Sequence, residues 1–474
     1  MSWNFARFGR GRAPASGLGP AGSRACITLF ALMALVAAPP SSVHAQTSTR
    51  TYRVDVGQRF SAEDSALYLK RLDLRSRLQA DFQTYDTVEP VLGVRRWKPL
   101  PRATDRARTI SPDALEAAAS YAASMPSTSL LVWRRGHVEL ERHFGARGAR
   151  DTILGRSLAK PLAAIAVGRA IALGRIRSLD QPVADFITEW RADPVRARIL
   201  IHQLLDGTAG FLPQSYSVQA DDVLNLAFLH PRHDEIIVSD YPIVSEPGAE
   251  FSYNNAQFDL IALLIQRATG RRYHEFVGEE LLRPIGAAGG EVWVNRPGGT
   301  AHAGCCIQIP PESWLRLGVL LVQDGRWNGE RLLPAGYARR MGTGTAANPY
   351  YGLGVYVAGE YTARRGWAGP LRTPPAMQVL HSEPYLAADL YLFDGNGNQV
   401  MYIVPSEQLV VLRTGTGPQR PQEWDNSRLP NLLMRGIRRV PGERAPQAQM
   451  IATRFPGTFD STRNWSSHGR NRRT

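Results

Sequence analysis

The chain has 474 residues, of which 43% are hydrophobic and 21% charged, so most of it is expected to fold around a sizeable core in one large domain or two smaller ones. Its formal net charge of +14 suggests a nucleic-acid-binding protein. However, only three of the 56 basic residues are lysines, and the arginines are spread along the chain rather than clustered with aromatic residues. This pattern argues against nucleic acid as a partner.

The first 45 residues have the features of an export signal. Four arginines and no acidic residue precede or border an apolar run at Ala25–Ala38, which is too short to span a membrane. Ala45 closes a small-x-small pattern that is typical of a cleavage site. We therefore predict a signal peptide over residues 1–45 and a periplasmic or secreted protein with no stable membrane insertion after cleavage. An uncleaved anchor is the alternative.

Residues 46–110 are predicted to form an N-terminal extension with one helix near Ala62–Phe82. Ser111 is a plausible N-cap for the helix that opens the main domain, which we place at residues 111–440. Two strands, Ser129–Trp133 and His137–Phe144, flank an Arg-Arg-Gly turn and predict a hairpin.

The middle of the main domain is predicted to be helical and its end to be stranded. Hairpin strands at both ends with helices between them indicate an α/β or α+β fold. Residues 441–474 are predicted to form a flexible basic tail. Helices are expected from Leu158 to Gly174 and near Ile199–Leu205, Ala256–Thr269, Ser313–Gln323 and Leu429–Val440, and late strands at Ala388–Phe393, Val400–Val404 and Gln408–Arg413.

A Ser-x-x-Lys pattern stands at the start of the first predicted interior helix. Ser157 and Lys160 share one face of its opening turn, and the segment that follows is apolar nearly all round. Burial would disfavour the charged form of the lysine and let it accept the serine proton. The alternative is a serine cap followed by a solvated lysine, and the pattern alone leaves both open.

Two further segments carry groups that can converge on the same cleft. Tyr253 and Asn255 lie just before the predicted helix Ala256–Thr269, and offer a phenol for proton transfer and an amide for a substrate carbonyl. Gly395 and Asn396 lie between two predicted strands, where glycine permits close backbone approach to a ligand. A turn with a packing tyrosine and an ordinary Asn-Gly hairpin are the respective alternatives.

Together and in this order, these three segments resemble the motifs of serine hydrolases related to class C β-lactamases, in the 6-aminohexanoate-dimer-hydrolase and esterase branch. Linking segments at Ala172–Val183, Ile201–Phe211 and Tyr351–Gly354 are also similar. The resemblance covers about residues 112–440. It implies a β-lactamase/transpeptidase-like fold, in which an antiparallel sheet flanked by helices and an all-helical region enclose the cleft.

The resemblance also implies a role for each motif residue. Ser157 would be the acyl-forming nucleophile, Lys160 its base and Tyr253 a second proton-transfer group. Asn255 would orient the substrate. The backbone N–H of Asn396, which follows Gly395, would join that of Ser157 in binding the oxyanion.

The third motif departs from the family pattern, because the lysine expected there is absent and Asp394 precedes Gly395. A carboxylate at that position would repel the carboxylate that marks penicillins. His302-Ala303-Gly304 matches a variant of the motif, but Pro310 and a helix follow where a strand is expected, so we interpret it as a loop.

These features predict an exported hydrolase that cleaves a small ester or a non-β-lactam amide. A penicillin-recognising β-lactamase or D-Ala-D-Ala peptidase, and a non-catalytic cell-envelope binding protein with this fold, are the alternatives. No cofactor is expected. We expect neither a disulfide framework nor a metal site, because Cys305 and Cys306 are adjacent and no ligand pair stands at metal-binding spacing.

Overall fold

The computed structural model describes residues 52–55, 59–78, 85–215, 217, 219–366, 378–419, 421–439 and 442–448. The predicted signal peptide and its cleavage after Ala45 lie outside these ranges, as does the end of the predicted tail. The described part of the N-terminal extension belongs to the same structural unit as the main domain.

The predicted helices of the main domain are present, with shifts of one or two residues at most of their ends. The last helix ends at Arg435, five residues before the predicted Val440, which lies outside the described residues. The helix expected at Ala256–Thr269 has those bounds. As predicted, Ser111 caps the first helix of the main domain, and its side chain accepts a hydrogen bond from the backbone N–H of Ala114. The helices are α1 (Ala62–Leu78), α2 (Pro112–Ser124), α3 (Ala159–Ala172), α4 (Ile201–Asp206), α5 (Val223–Leu229), α6 (His233–Ser239), α7 (Ala256–Thr269), α8 (Tyr273–Val277), α9 (Pro311–Val322), α10 (Tyr337–Met341) and α11 (Arg428–Arg435).

Most strands of the described residues are short, and the longer ones lie near the two ends of the main domain, as predicted. The strands are β1 (Val88–Val91), β2 (Ser127–Arg134), β3 (His137–His143), β4 (Ile153–Leu154), β5 (Gly290–Trp293), β6 (Ile307–Ile309), β7 (Arg326–Trp327), β8 (Glu330–Arg331), β9 (Tyr356–Val357), β10 (Arg364–Arg365), β11 (Val379–Leu380), β12 (Tyr391–Gly395), β13 (Gln399–Val404) and β14 (Leu409–Gly415).

The main sheet is antiparallel, with strand order β3-β2-β14-β13-β12-β9. Side chains of a strand alternate between faces, and here both faces are apolar. Leu130 and Val132 of β2 pack with α2 and α11, whereas Leu131 and Trp133 face the larger core that contains α3, α7 and α9. The sheet is therefore buried between two helical layers, as the fold prediction requires.

A second sheet, with order β1-β5-β6-β4, joins the extension to the main domain. The prediction that no strand follows Gly304 is wrong, because β6 of this sheet begins at Ile307. That strand has only three residues, too few for its alternation to be recognised before Pro310. The buried guanidinium of Arg71 in α1 further anchors the extension, since it binds the Asp86 carboxylate and the carbonyl oxygens of Leu229 and Asn295.

The start and the end of the main domain are hydrogen-bonded to each other. The N–H of Ser111 donates to Gly436 O at 2.8 Å, and the N–H of Arg438 donates to Thr109 O at 2.8 Å. Helices α2 and α11 consequently pack side by side on one face of the main sheet. Within the described residues, no helix has both the length and the apolar character needed to cross a bilayer.

Candidate active site

Ser157 lies in a single 3₁₀ turn, Arg156–Leu158, that leads directly into α3. Two features fix this turn. The N–H of Gly155 donates to Ile307 O, and a Cβ at position 155 would lie 2.4 Å from the Trp314 ring, so only glycine fits there. Arg156 has a φ of +51°, a left-handed conformation that disfavours side-chain-bearing residues. The backbone before Ser157 is therefore held in a costly conformation by its surroundings.

Lys160 is buried, with 1% of its surface exposed, and its amine is surrounded by acceptors. Nζ lies 3.2 Å from Ser157 Oγ, 2.5 Å from Asn255 Oδ1 and 2.8 Å from Gly304 O. Burial lowers the pKa of Lys160 to about 7, although the negative charge of Asp259 raises it in part. The amine is thus substantially uncharged near neutral pH and is placed to take the proton of Ser157 Oγ.

Tyr253 and Asn255 bring the second predicted motif to the same amine. Lys160 Nζ lies 4.7 Å from the centre of the Tyr253 ring, and the N–H of Asn255 donates to the side chain of Gln214. Because Asn255 Oδ1 already accepts from Lys160, its amide nitrogen is the end that can donate to a substrate carbonyl.

Gly395 and Asn396 stand at the end of β12, beside the Ser157 turn. A Cβ at position 395 would lie 2.8 Å from Gly155 O, so the strand approaches the turn more closely than any other residue type allows. Gln399, which pairs with Gly395, also donates to Leu154 O. The structure therefore brings all three predicted motifs together.

A cleft of about 1090 Å³ opens over this group and contains arginines that the sequence prediction did not place there. Ser157, Tyr253, Gly395 and Asn396 contribute to its lining. The arginines in the same lining are Arg75, Arg147, Arg156 and Arg365. The absence of a lysine from the third motif therefore does not leave the cleft without cations.

Asp394 also lines the cleft, and its charge is weaker than the sequence prediction assumed. Burial raises the pKa of its carboxyl to about 7, while hydrogen bonding by Asn426 and the charge of Arg365 act in the opposite direction. A carboxyl that is partly protonated near neutral pH repels an anionic substrate less than a full carboxylate would. The predicted repulsion between Asp394 and a substrate carboxylate therefore depends on pH and is weaker near neutral pH than expected.

Two residues near the amine were not predicted from the sequence, Gly304 and Asp259. Gly304 lies in the loop at residues 302–304, which was correctly interpreted as a loop but was not connected to the site. Asp259 Oδ1 accepts from the N–H of Gly304 at 2.9 Å. The available signal was an acidic residue within the otherwise apolar run of α7 from Phe258 to Ile265.

In the sequence, the adjacency of Cys305 and Cys306 argues against a bond between them, and this part of the prediction is wrong, because the two cysteines are bonded to each other. The two residues follow Gly304 in a tight turn, in which the carbonyl oxygen of His302 accepts from the N–H groups of both. This local turn overrides the general tendency of adjacent cysteines to remain unpaired. Both line a smaller cavity that also contacts Ser157 and Asn255.

His233, Asp259 and His302 form a fully buried group that distant segments bring together, although no metal-binding spacing links them in the sequence. The two imidazole rings are stacked, with centroids 4.1 Å apart and an angle of 16° between their planes. An ion in the plane of one ring would lie outside the plane of the other, and the Asp259 carboxylate already binds His302 and Gly304. The arrangement therefore does not fit a metal ion.

Comparison with known proteins agrees with this fold. The family profile described as Beta-lactamase matches residues 112–429. A candidate beta-lactamase from Bacteroides dorei (TM-score 0.56, 17% identity) aligns with 70% of this chain and 100% of its own. A candidate 6-aminohexanoate-dimer hydrolase from Bacillus anthracis (TM-score 0.55, 17% identity) aligns with 71% of this chain and 87% of its own.

Among curated proteins, Protein flp of Staphylococcus aureus is 25% identical over 171 residues, which are 34% of each chain. The chain thus spans about a third of the length of the curated relatives it matches. The family profile, in contrast, covers more than half of the chain and includes all three motifs. The chain therefore belongs to the beta-lactamase family.

Proposed function

We infer that this chain is a serine hydrolase that cleaves a small ester, or an amide other than a β-lactam, through an acyl-enzyme on Ser157. The observation that carries the proposal is the contact between a buried, substantially uncharged amine and a serine hydroxyl. The distance from Lys160 Nζ to Ser157 Oγ is 3.2 Å. A serine hydroxyl needs an adjacent base to become a nucleophile, and this amine can act as that base without a cofactor.

In the acylation step, Lys160 Nζ takes the proton from Ser157 Oγ while Oγ attacks the carbonyl carbon of the substrate. The carbonyl oxygen becomes an oxyanion, for which the backbone N–H groups of Ser157 and Asn396 are the proposed donors. The carbon–oxygen or carbon–nitrogen bond to the leaving group then breaks. The leaving group receives the proton from Lys160, directly or through the phenol of Tyr253.

In the deacylation step, a water molecule attacks the acyl carbon while Lys160 and Tyr253 take its proton. A second oxyanion forms in the same position and collapses as the bond to Oγ breaks. The proton returns to Ser157, which restores the enzyme. Asn255 keeps the acyl group oriented by donating from its amide nitrogen, since its Oδ1 is used by Lys160.

The preference for esters and other amides rests on the third motif. The chain has no lysine after Lys160, so the cation that the family pattern offers to a penicillin carboxylate is missing from that strand. Asp394 occupies the position before Gly395 and becomes increasingly anionic as the pH rises through about 7. A neutral acyl group is therefore favoured over an anionic one in this part of the cleft.

The test compares p-nitrophenyl esters, nitrocefin and a short ω-amino-acid amide, with Ser157→Ala as the control. We expect turnover of an ester or the amide by the wild-type protein, no turnover by the variant and no hydrolysis of nitrocefin. A fluorophosphonate should label Ser157 in the folded wild-type protein. Failure to label Ser157 would contradict the proposal and favour a non-catalytic binding protein.

The arginines of the cleft favour one second candidate, a penicillin-recognising protein. Arg156 precedes Ser157 and lies in the same lining as Asp394, where a guanidinium can bind a substrate carboxylate. A stable penicillin adduct on Ser157, detected by intact mass, would support this candidate over the esterase. Its absence would eliminate it.

We also propose that the protein is exported, because of the basic and apolar leader that ends at Ala45. Expression of the full chain in a Gram-negative host should yield a protein that begins at Gln46 in the periplasmic fraction. A full-length protein retained with the cells would contradict this localisation.

A further inference from the structure

Asp259 is a fully buried acid that the proposed mechanism does not use. It lies in α7, one turn beyond Asn255, with apolar residues on either side. Its carboxylate binds two groups of the loop that follows β5. Oδ1 accepts from Gly304 N–H at 2.9 Å, and Oδ2 lies 3.1 Å from His302 Nδ1. A buried charge is costly, so its presence here calls for a role that an apolar residue cannot perform.

The peptide group that Asp259 binds is the one that binds Lys160. Gly304 donates its N–H to Asp259 Oδ1, and its carbonyl oxygen accepts from Lys160 Nζ at 2.8 Å. A Cβ at position 304 would lie 3.2 Å from Asn255 O, so the loop also packs tightly against the residue that supplies another acceptor. Movement of this loop would therefore change the position of the amine relative to Ser157.

We propose that Asp259 is a positioning residue for Lys160, which holds the Gly304 loop under the amine and supplies a negative charge that acts on it. The inference rests on the proposed function, since it concerns the base of that reaction. Asp259 does not touch substrate in this role.

The electrostatic surroundings of Asp259 support this assignment. Lys160, His233, His302 and Tyr273 are the titratable groups that interact with it. Burial lowers the pKa of His302 to about 3 and also lowers the pKa of His233, so both imidazoles are neutral near pH 7. Burial raises the pKa of Tyr273, which keeps its phenol neutral as well.

Lys160 is therefore the group near Asp259 whose charge changes close to neutral pH. Burial raises the pKa of Asp259 to about 6, against the opposing effects of His233, Gly304 and Lys160. A negative charge at Asp259 favours the protonated form of Lys160. Removal of that charge should lower the pKa of Lys160, whereas a purely structural role would leave that pKa unchanged.

Lysine NMR provides a readout that does not depend on turnover. The chain has three lysines, of which Lys70 and Lys98 are exposed and Lys160 is buried. In full-length protein labelled with ¹³C-lysine, the ε-carbon signal that Lys160→Met removes identifies Lys160. Titration of that signal in wild type and in Asp259→Asn then compares the two midpoints directly.

We expect the Lys160 midpoint in Asp259→Asn to fall by about half a unit to one unit, and the acid limb of kcat/KM to move to lower pH by the same amount. The Asn side chain can still accept from Gly304 N–H, so kcat at high pH should stay within a few-fold of wild type. Asp259→Ala removes the acceptor and should lower kcat about tenfold or more with little change in KM.

Asp206→Asn is the matched control. Asp206 is 2% exposed and pairs with His202, so its replacement also removes a buried acid next to an imidazole, at a position outside the proposed site. This variant should not shift the Lys160 midpoint.

An Asp259→Asn protein with the wild-type Lys160 midpoint, or an Asp259→Ala protein with wild-type kcat, would overturn the assignment. If Asp259→Ala does not fold, Asp259→Asn and its NMR titration decide alone. If no ester or amide is turned over by wild type, the proposed function fails while the NMR comparison still tests the role of Asp259.

Discussion

Gly395 lies against the peptide of Gly155, so that a Cβ on Gly395 would come within 2.8 Å of Gly155 O. This contact couples the third motif to the turn that carries Ser157, because both glycines are within two residues of a proposed reacting group. The close approach places Asn396 and Ser157 in the lining of one cleft. The spacing of the two proposed oxyanion donors therefore depends on the absence of a side chain at Gly395.

Gly395→Ala should lower kcat of ester hydrolysis by about tenfold or more, since a displaced oxyanion donor weakens binding of the transition state. Steady-state kinetics with a p-nitrophenyl ester measures the effect. Gly148→Ala is the matched control, because its added Cβ has no neighbour closer than 4.0 Å. Equal activity of the two variants would show that the contact does not matter for catalysis.

The activity should depend on the protonation of Lys160. Burial lowers the pKa of its amine to about 7, and the amine must be uncharged to accept the Ser157 proton. Below that pKa the amine is protonated, so kcat/KM should fall as the pH drops through about 7 and level off above it. A pH profile with a neutral ester checks this, and a rate that stays constant between pH 5 and 8 would contradict the assigned base.

Asp394→Asn should stabilise the protein at pH 8 and have little effect near pH 4. Burial raises the pKa of Asp394 to about 7 from an ordinary value of 3.8, so the unfolded chain ionises first as the pH rises. The cost to folding grows between these two pKa values and is complete above the higher one. We expect a gain on the order of 2–4 kcal/mol in the free energy of unfolding at pH 8.

Urea unfolding of wild type and Asp394→Asn at both pH values measures this difference. The amide of asparagine can still accept a hydrogen bond from Asn426, so the variant keeps the contact while losing the charge. A gain that is equal at pH 4 and pH 8 would show that the carboxyl does not titrate in the folded protein as described.

Reduction of the Cys305–Cys306 disulfide should affect activity more than stability. The bond closes a loop with no residue between its ends, so it removes little freedom from the unfolded chain, and its loss should cost about 1 kcal/mol. Because Gly304 O, an acceptor for Lys160, immediately precedes the pair, a loosened loop should lower kcat severalfold.

Ester hydrolysis and urea unfolding with and without a phosphine reductant measure the two effects. The double variant Cys305→Ala/Cys306→Ala is the control and should not respond to the reductant. An unreduced protein whose intact mass shows two free thiols at these positions would contradict the assigned bond.

The long amphipathic and apolar segments were the part of the fold that the sequence could predict. Helix α7 has its predicted bounds, and the β2–β3 hairpin differs from its prediction by two residues at most. Strand β6 was missed because three residues are too few to show alternation. The partners of β1 and β5 could not be predicted because their pairing depends on how distant segments pack.

In the candidate site, too, local motifs could be predicted from the sequence, whereas contacts between distant segments could not. Ser157, Lys160, Tyr253 and Asn255 stand in recognisable motifs, and the structure brings their segments together. Asp259 could not be predicted as part of the site, because its partner is the backbone N–H of Gly304, 45 residues away. No pattern of side chains in the sequence indicates such a contact. The arginines of the cleft come from α1, from a loop, from the 3₁₀ turn before α3 and from a two-residue strand, so only the folded chain reveals them.

The hydrogen bonds between Ser111 and Gly436 and between Arg438 and Thr109 have a consequence for protein engineering. Since the two boundaries of the main domain are adjacent, a short linker could join them, and new termini could be opened in a surface turn such as the one at Gly136. The N-terminal extension would then have to be supplied as a separate chain, because β1 and Arg71 pack into the same structural unit. The same adjacency would allow the domain to be grafted into a loop of a host protein without stretching either junction.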